Sequence, residues 1–124
     1  MQRLTFFAPF LALVLVVPLS ACDRGQATIA ANGDAHHGAK IIRQLGCGNC
    51  HTIPGVADAR GNVGPPLTRI ADRAFIAGVL PNTPENMRAW IRAPQTIVPG
   101  NAMPDMGIDE ADARDIAAYL YTLH

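Results

Sequence analysis

An excess of positive charge is absent from this chain: ten lysines and arginines balance ten aspartates and glutamates, and lysine occurs once, as Lys40. Nucleic-acid binding needs a basic face, and the balance argues against it. Cysteine is scarce as well. The three present, Cys22, Cys47 and Cys50, are too few for an iron–sulfur cluster held by four thiolates. They also lack the second ligand pair of a zinc knuckle. No stretch alternates apolar and polar residues long enough to predict a sheet, and there is no internal repeat and no low-complexity tract. A length of 124 residues allows one domain and not two.

Apolar residues are plentiful, at 49% of the chain, and many lie in one run, LTFFAPFLALVLVVPLSA, behind Met1-Gln2-Arg3. A basic start, an apolar body and small residues at its end make an export signal. The run is long enough to span a bilayer uncleaved, although Pro9 and Pro18 disfavour a regular spanning helix. Its end, Leu19-Ser20-Ala21-Cys22, resembles the bacterial lipobox. That resemblance implies a signal peptide over residues 1–21 and a lipidated Cys22 as the first mature residue. Residues 22–33, CDRGQATIAANG, then read as a flexible tether, with a folded domain over residues 34–124. The expected location is a bacterial cell membrane, with the domain lipid-anchored and facing the periplasm or the cell exterior. Asp23, directly after the lipidated cysteine, resembles the signal that keeps lipoproteins of enteric bacteria on the inner membrane.

Within the domain, Asp34 is placed to cap a helix through AHHGAKIIRQL that stops at Gly46. His36 and His37, in its first turn, read as solvated and carry no ligand role. The stretch TIPGVADARGNVGPPL is a succession of turns, and a short helix is expected from about Thr68 to Phe75. Thr83 caps a helix with Pro84 at its first position, and Pro94 ends it. A loop, QTIVPGNAMPDMG, leads to a last helix capped by Asp109, with Asp112 completing a box-like pair. The expected fold is all-α, three to five helices with Pro/Gly-rich loops. Apolar residues such as Ile53, Val63, Ile70, Phe75, Ile76 and Val79 are scattered along those loops. They would be hard to pack on one another in so short a chain, and this predicts packing around a large flat apolar object.

The string Gly46-Cys47-Gly48-Asn49-Cys50-His51 says what that object is. A redox Cys-x-x-Cys follows a strand and opens a helix, whereas this one follows a helix and runs into turns. Left bare in an oxidising compartment, the pair would tend to close as a disulfide. Two thiols on one turn can instead each add to a vinyl group of haem, and the next residue, His51, then lies beneath the iron; Cys-x-x-Cys-His is the attachment string of haem c. Six-coordinate iron asks for a second axial ligand. Met87, Met103, Met106 and His124 are the candidates. Met87 lies inside a helix and reads as core, and His124 is the chain end. Met103 sits in a loop stiffened by Pro99 and Pro104, with Met106 its competitor.

From about Asp34 to Leu123 the sequence resembles class I (mitochondrial-type) cytochromes c. The resemblance is carried by Cys47-Gly48-Asn49-Cys50-His51, Gly64-Pro65 and Pro99-Gly100-Asn101-Ala102-Met103. It implies one covalent haem c on Cys47 and Cys50 with His51 as proximal ligand. It further implies that the Pro65 carbonyl orients the imidazole and that Met103, in preference to Met106, is the sixth ligand. Ile116 and Tyr119 match last-helix residues that cross the first helix near Gly38 and Ile42. LPNTPENMRAWIRAPQTIVPGNAMP is similar to cytochrome c domains fused to copper-bearing subunits of bacterial haem–copper oxidases, which places Trp90 beside the haem. Between Arg69 and Gly78 the match is loose, with Arg73 as the candidate partner for a haem propionate.

These readings imply a monohaem electron carrier with His/Met-ligated iron and no small-molecule substrate. It would be anchored by lipid, receive electrons from a respiratory complex and donate to a haem–copper terminal oxidase. The alternatives are a permanent electron-transfer subunit of a membrane complex, or a haem peroxidase or sensor if the methionine ligand is absent. The single lysine excludes a lysine ring like that of soluble mitochondrial cytochromes, so tethering would supply the local concentration that charge steering otherwise provides.

Overall fold

Asp34 opens the first helix. In the computed structural model, which describes residues 32–124, its carboxylate accepts the backbone N–H groups of His36 and His37 at 2.9 and 3.0 Å. Those donors have no partner within a helix start, so the cap stabilises it. Helix α1 runs Ala35–Gln44. Thr83 caps α2, Pro84–Arg92, by accepting from the Asn86 N–H, and Asp109 caps α4, Glu110–Leu120, by accepting from Asp112. Pro94 does more than end α2: it begins a further single turn, α3, Pro94–Ile97. The expected signal segment, Cys22 and nearly all of the tether lie outside the described residues. Among those residues, no helix is long and apolar enough to cross a membrane.

Helices α1 and α4 cross in close contact. A Cβ on Gly38 would stand 2.0 Å from the Asp115 carbonyl oxygen, so only glycine lets the two backbones approach this far. The crossing is also clasped by polar groups. His37 Nδ1 lies 2.8 Å from Asp115 Oδ2, and the Asp34 N–H donates to Asp115 Oδ1 at 2.8 Å. His37 is exposed, as expected, and is also paired with a carboxylate 78 positions away. Burial by itself would raise the Asp115 carboxyl, but the bonds from His37 and the Asp34 N–H outweigh it and hold the carboxyl below its usual range. A carboxylate lowered in the fold adds stability above its ordinary pKa and loses it as pH falls through the folded value. The stability difference between wild type and Asp115→Asn should thus shrink as pH drops below about 4, as measured by denaturant unfolding at a series of pH values.

No α-helix forms over Thr68–Phe75. A single 3-10 turn, Ile70–Asp72, is followed by a small antiparallel hairpin of β1, Phe75–Ile76, and β2, Leu80–Pro81. Arg69 has φ +55° and Ala77 and Gly78 have φ +50° and +74°, left-handed values that break a helix at both ends of the segment. Two successive positive φ values make the tight turn that matches strand twist. The Asn82 side chain replaces helix hydrogen bonds by donating to the carbonyls of Ile70 and Arg73, each at 2.8 Å. Tyr121 donates to the Asn82 Oδ1 at 2.8 Å, and burial, with Glu85 nearby, pushes its phenol up to about 12. The fold is thus mostly helical with one short hairpin.

The apolar loop residues divide. Ile53, Ile70 and Ile76 join Ile41, Ile42, Ile91, Ile116 and Leu120 in one core cluster, so the loops do supply side chains that pack with the helices. Val63, Phe75 and Val79 remain 69%, 56% and 54% exposed.

Candidate functional site

The chain leaves α1 through Gly46, whose φ of +70° reverses it, into a 3-10 turn over Cys47–Asn49. The Cys50 and His51 N–H groups both donate to the Cys47 carbonyl, at 3.2 and 3.0 Å. Cys47, Cys50 and His51 therefore share one tight turn. Both thiols are free and half-buried. Burial pushes the Cys47 thiol up, and the neighbouring Cys50 adds to the effect.

The turn-rich middle of the chain wraps this motif by backbone contact. Gly61 donates to the Gly48 carbonyl at 2.9 Å, Gly64 to Cys50 at 2.8 Å and Leu67 to Thr52 at 2.8 Å. The approach is so close that a Cβ on Gly61 would meet the Asn49 carbonyl oxygen at 2.4 Å. Gly64 forms a flat shelf under the imidazole: a Cβ there would lie 2.3 Å from His51 Cε1 and 2.7 Å from Nδ1. The next residue completes the arrangement, with His51 Nδ1 2.7 Å from the Pro65 carbonyl oxygen. A carbonyl can only accept, so Nδ1 is the donor, and in the neutral imidazole Nε2 then keeps its lone pair. An imidazole held in this way is a more basic and better oriented metal ligand.

Met103 comes from the loop between α3 and α4 and is half-buried. Its N–H donates to Asn101 Oδ1 at 2.7 Å, and its carbonyl accepts from Gln95 Nε2 at 2.7 Å. Met87 is 2% exposed and belongs to the core, whereas Met106 is 39% exposed. His124 is occupied with Asp72, its Nδ1 3.0 Å from Oδ1. Trp90, on α2, packs half-buried against the core. Arg73 donates to the carbonyls of Pro66 and Thr68, next to the Pro65 acceptor.

The structure thus places Cys47, Cys50 and His51 on one turn, with the Pro65 carbonyl against the His51 ring, while Met103 lies in the loop after α3 and Trp90 on α2. The roles of Gly61, Gly64 and Gln95 were not legible in the sequence, because each depends on a backbone that only the fold brings near. Among the described residues no three His, Cys, Asp or Glu side chains converge as a metal site, so a zinc knuckle would lack its remaining ligands. The donor set fits haem c: two thiols and a histidine with a free Nε2 on one turn, and exposed Val63 beside the Gly64–Pro65 shelf.

Comparison with known proteins agrees. The family model for cytochrome c matches residues 35–124. Cytochrome c oxidase subunit 2 of Alkalihalophilus pseudofirmus is 38% identical over 90 residues, which cover 72% of this chain and 25% of that protein. The Bacillus subtilis subunit 2 is 30% identical over 89 residues, covering 70% of this chain and 25% of the relative. The subunit 2 of Bacillus sp. (strain PS3) is 36% identical over 77 residues, covering 60% and 20%. The chain therefore spans a quarter or less of the length of these relatives. No solved structure gives a significant match. Members of the matched family transfer electrons and are not catalysts, and membership implies a bound haem c. With a family match that runs from α1 through α4, over the Cys47–His51 turn and the Pro65-bonded imidazole, this chain belongs to the cytochrome c family.

Proposed function

We propose that the chain is a monohaem electron-transfer unit that works docked to a haem–copper terminal oxidase, as a stable subunit more than as a mobile shuttle. The observation that carries this reading is the 38% identity to a quarter-length portion of an oxidase subunit 2. In such relatives the matching segment is part of a larger chain. In this chain a lipid on Cys22 would hold the domain at the membrane, with residues 22–33 as tether and residues 34–124 as the electron-transfer domain.

In this reading Cys47 and Cys50 would hold haem through thioether bonds, and His51 and Met103 would ligate its iron. Bound haem supplies a one-electron ferric/ferrous couple. The chain does the rest. Pro65 holds the Nδ1 proton of His51 and fixes the ring, and Gly64 gives it room. Met103 offers a soft thioether that favours ferrous iron and so raises the potential. Trp90, on α2, would lie beside the haem. With both His51 and Met103 on the iron, such a site would be suited to passing electrons and not to binding substrate.

Two measurements test the proposal. Mild detergent extraction should yield this chain in a stoichiometric complex with an oxidase; recovery only as free protein would favour the shuttle. The ferric protein should show a weak far-red sulfur-to-iron band and bind cyanide slowly. Met103→Ala should abolish the band and speed cyanide binding, whereas a band that survives in Met103→Ala would transfer the role to Met106.

A further inference from the structure

We propose that Gln95 is a positioning residue, a clamp that keeps the Met103 loop closed; the inference rests on Met103 as the iron ligand. The loop after α3 has little regular structure of its own. Gly100 takes φ +80°, and the carbonyls of Asn101 and Met103 need donors from elsewhere. One side chain supplies them. Gln95 Nε2 donates to the Asn101 carbonyl at 2.9 Å and to the Met103 carbonyl at 2.7 Å, while Gln95 Oε1 accepts the Gly100 N–H at 3.0 Å. The Gln95 N–H itself faces Asp105 Oδ1 at 3.3 Å, on the far arm of the loop.

A second amide interlocks with the first. Asn101 Nδ2 donates to the carbonyls of Pro94 and Val98 at 3.0 and 2.7 Å, and Asn101 Oδ1 accepts the Met103 N–H at 2.7 Å. Met103 is thereby held on both sides of its backbone, its N–H by Asn101 and its carbonyl by Gln95. The chemistry at position 95 is restrictive. Two carbonyls require donors and one N–H requires an acceptor, from one planar group. Glutamate has the shape but no donors, and lysine has donors but no acceptor. Gln95 also lies in the first turn of α3, outside the loop it holds, so the clamp ties the loop to a helical turn that Pro94 buries in the body of the domain. A methionine thioether is a weak ligand, and its residence on iron depends on how rarely the loop opens.

The test uses the haem-loaded protein with Gln95→Ala and Gln95→Glu. Loss of two donors should speed both cyanide binding to the ferric form and amide exchange at Gly100 and Met103, each by about tenfold in Gln95→Ala at pH 7. Gln95→Glu should be at least as fast at pH 7, where its carboxylate faces two carbonyls. It should then slow toward wild type near pH 4, where the neutral acid regains one donor; Gln95→Ala should show no such recovery. That pH-dependent rescue is a readout that simple loss of packing would not produce. A wild-type far-red band together with unchanged rates in both variants overturns the clamp. A wild-type protein with no far-red band overturns the Met103 reading, and the role assigned to Gln95 at the iron with it.

Discussion

Replacing Gly64 with alanine is expected to destabilise the haem-loaded protein by about 2–4 kcal/mol and to release the His51 ring from its acceptor. The added Cβ would sit 2.3 Å from Cε1 and 2.9 Å from Nε2 of the imidazole, and the obstruction is a ring packed edge to backbone, not the end of a flexible side chain. Either the ring tilts away or the Gly64 backbone retreats. A retreating backbone strains the Gly64 N–H bond to the Cys50 carbonyl, now 2.8 Å. A tilting ring gives up the 2.7 Å contact with Pro65. Overpacking of this kind costs about 1–3 kcal/mol, and a lost hydrogen bond about 1 more. Out of the 5–15 kcal/mol typical of a whole domain, this is a large share.

Pro65→Ala provides the contrast. The acceptor is a backbone carbonyl, which alanine retains, so that variant should lose no more than about 1 kcal/mol through the freer unfolded chain. Guanidinium unfolding of the two haem-loaded variants gives the ordering. The Nδ1 proton of His51 gives the mechanism: slow to exchange in wild type and Pro65→Ala, fast in Gly64→Ala. Equal midpoints for Gly64→Ala and wild type would mean that the ring does not rest on this shelf.

Gly64 also shows where the sequence stops being legible. The Cys47–His51 motif could be read because it is local, and the structure gives it one tight turn. Helix starts could be read for the same reason: Asp34, Thr83 and Asp109 accept N–H groups two or three residues away. Contacts between distant segments left no such mark. The 3-10 turn and hairpin after Thr68 replace an expected helix because Arg69, Ala77 and Gly78 take left-handed conformations, and alanine and arginine do not announce those. The pairing of exposed His37 could not be read, because only α4 brings Asp115 to it. Gln95 looked like an ordinary polar residue after a proline, since its three partners lie in a loop whose path is set by Gly100 and Asn101. The resemblance to cytochromes c could point to Pro65 because that role is shared across a family, but it carried nothing about Gln95.

Gly38→Ala is the second large effect, and its sign runs against helix propensity. In an isolated helix the change would stabilise by about 0.8–1 kcal/mol, because alanine is the better helix former. Within this fold the new Cβ would stand 2.0 Å from the Asp115 carbonyl oxygen and 2.4 Å from its carbon, both backbone atoms of α4. No rotamer change can relieve that contact, so α1 and α4 must move apart. The movement would loosen the Asp115 clasp on His37 and on the Asp34 N–H, each now at 2.8 Å. It would also open the packing of fully buried Ala117 and of Ile42 at 1% exposure. Because α1 leads directly into the Cys47–His51 turn, a shifted α1 displaces that turn as well. Overpacking of about 1–3 kcal/mol and about 1 for each of the two loosened hydrogen bonds, less about 1 of propensity gain, give an expected net cost of about 2–4 kcal/mol. Gly46→Ala gives the scale: its strain is a positive φ of +70° and a contact with the mobile end of the Asn49 side chain at 2.8 Å, for about 1 kcal/mol. Denaturant midpoints should therefore fall in the order wild type, Gly46→Ala, Gly38→Ala. If Gly38→Ala proves as stable as wild type, helix propensity has prevailed and the two helices do not cross through the glycine.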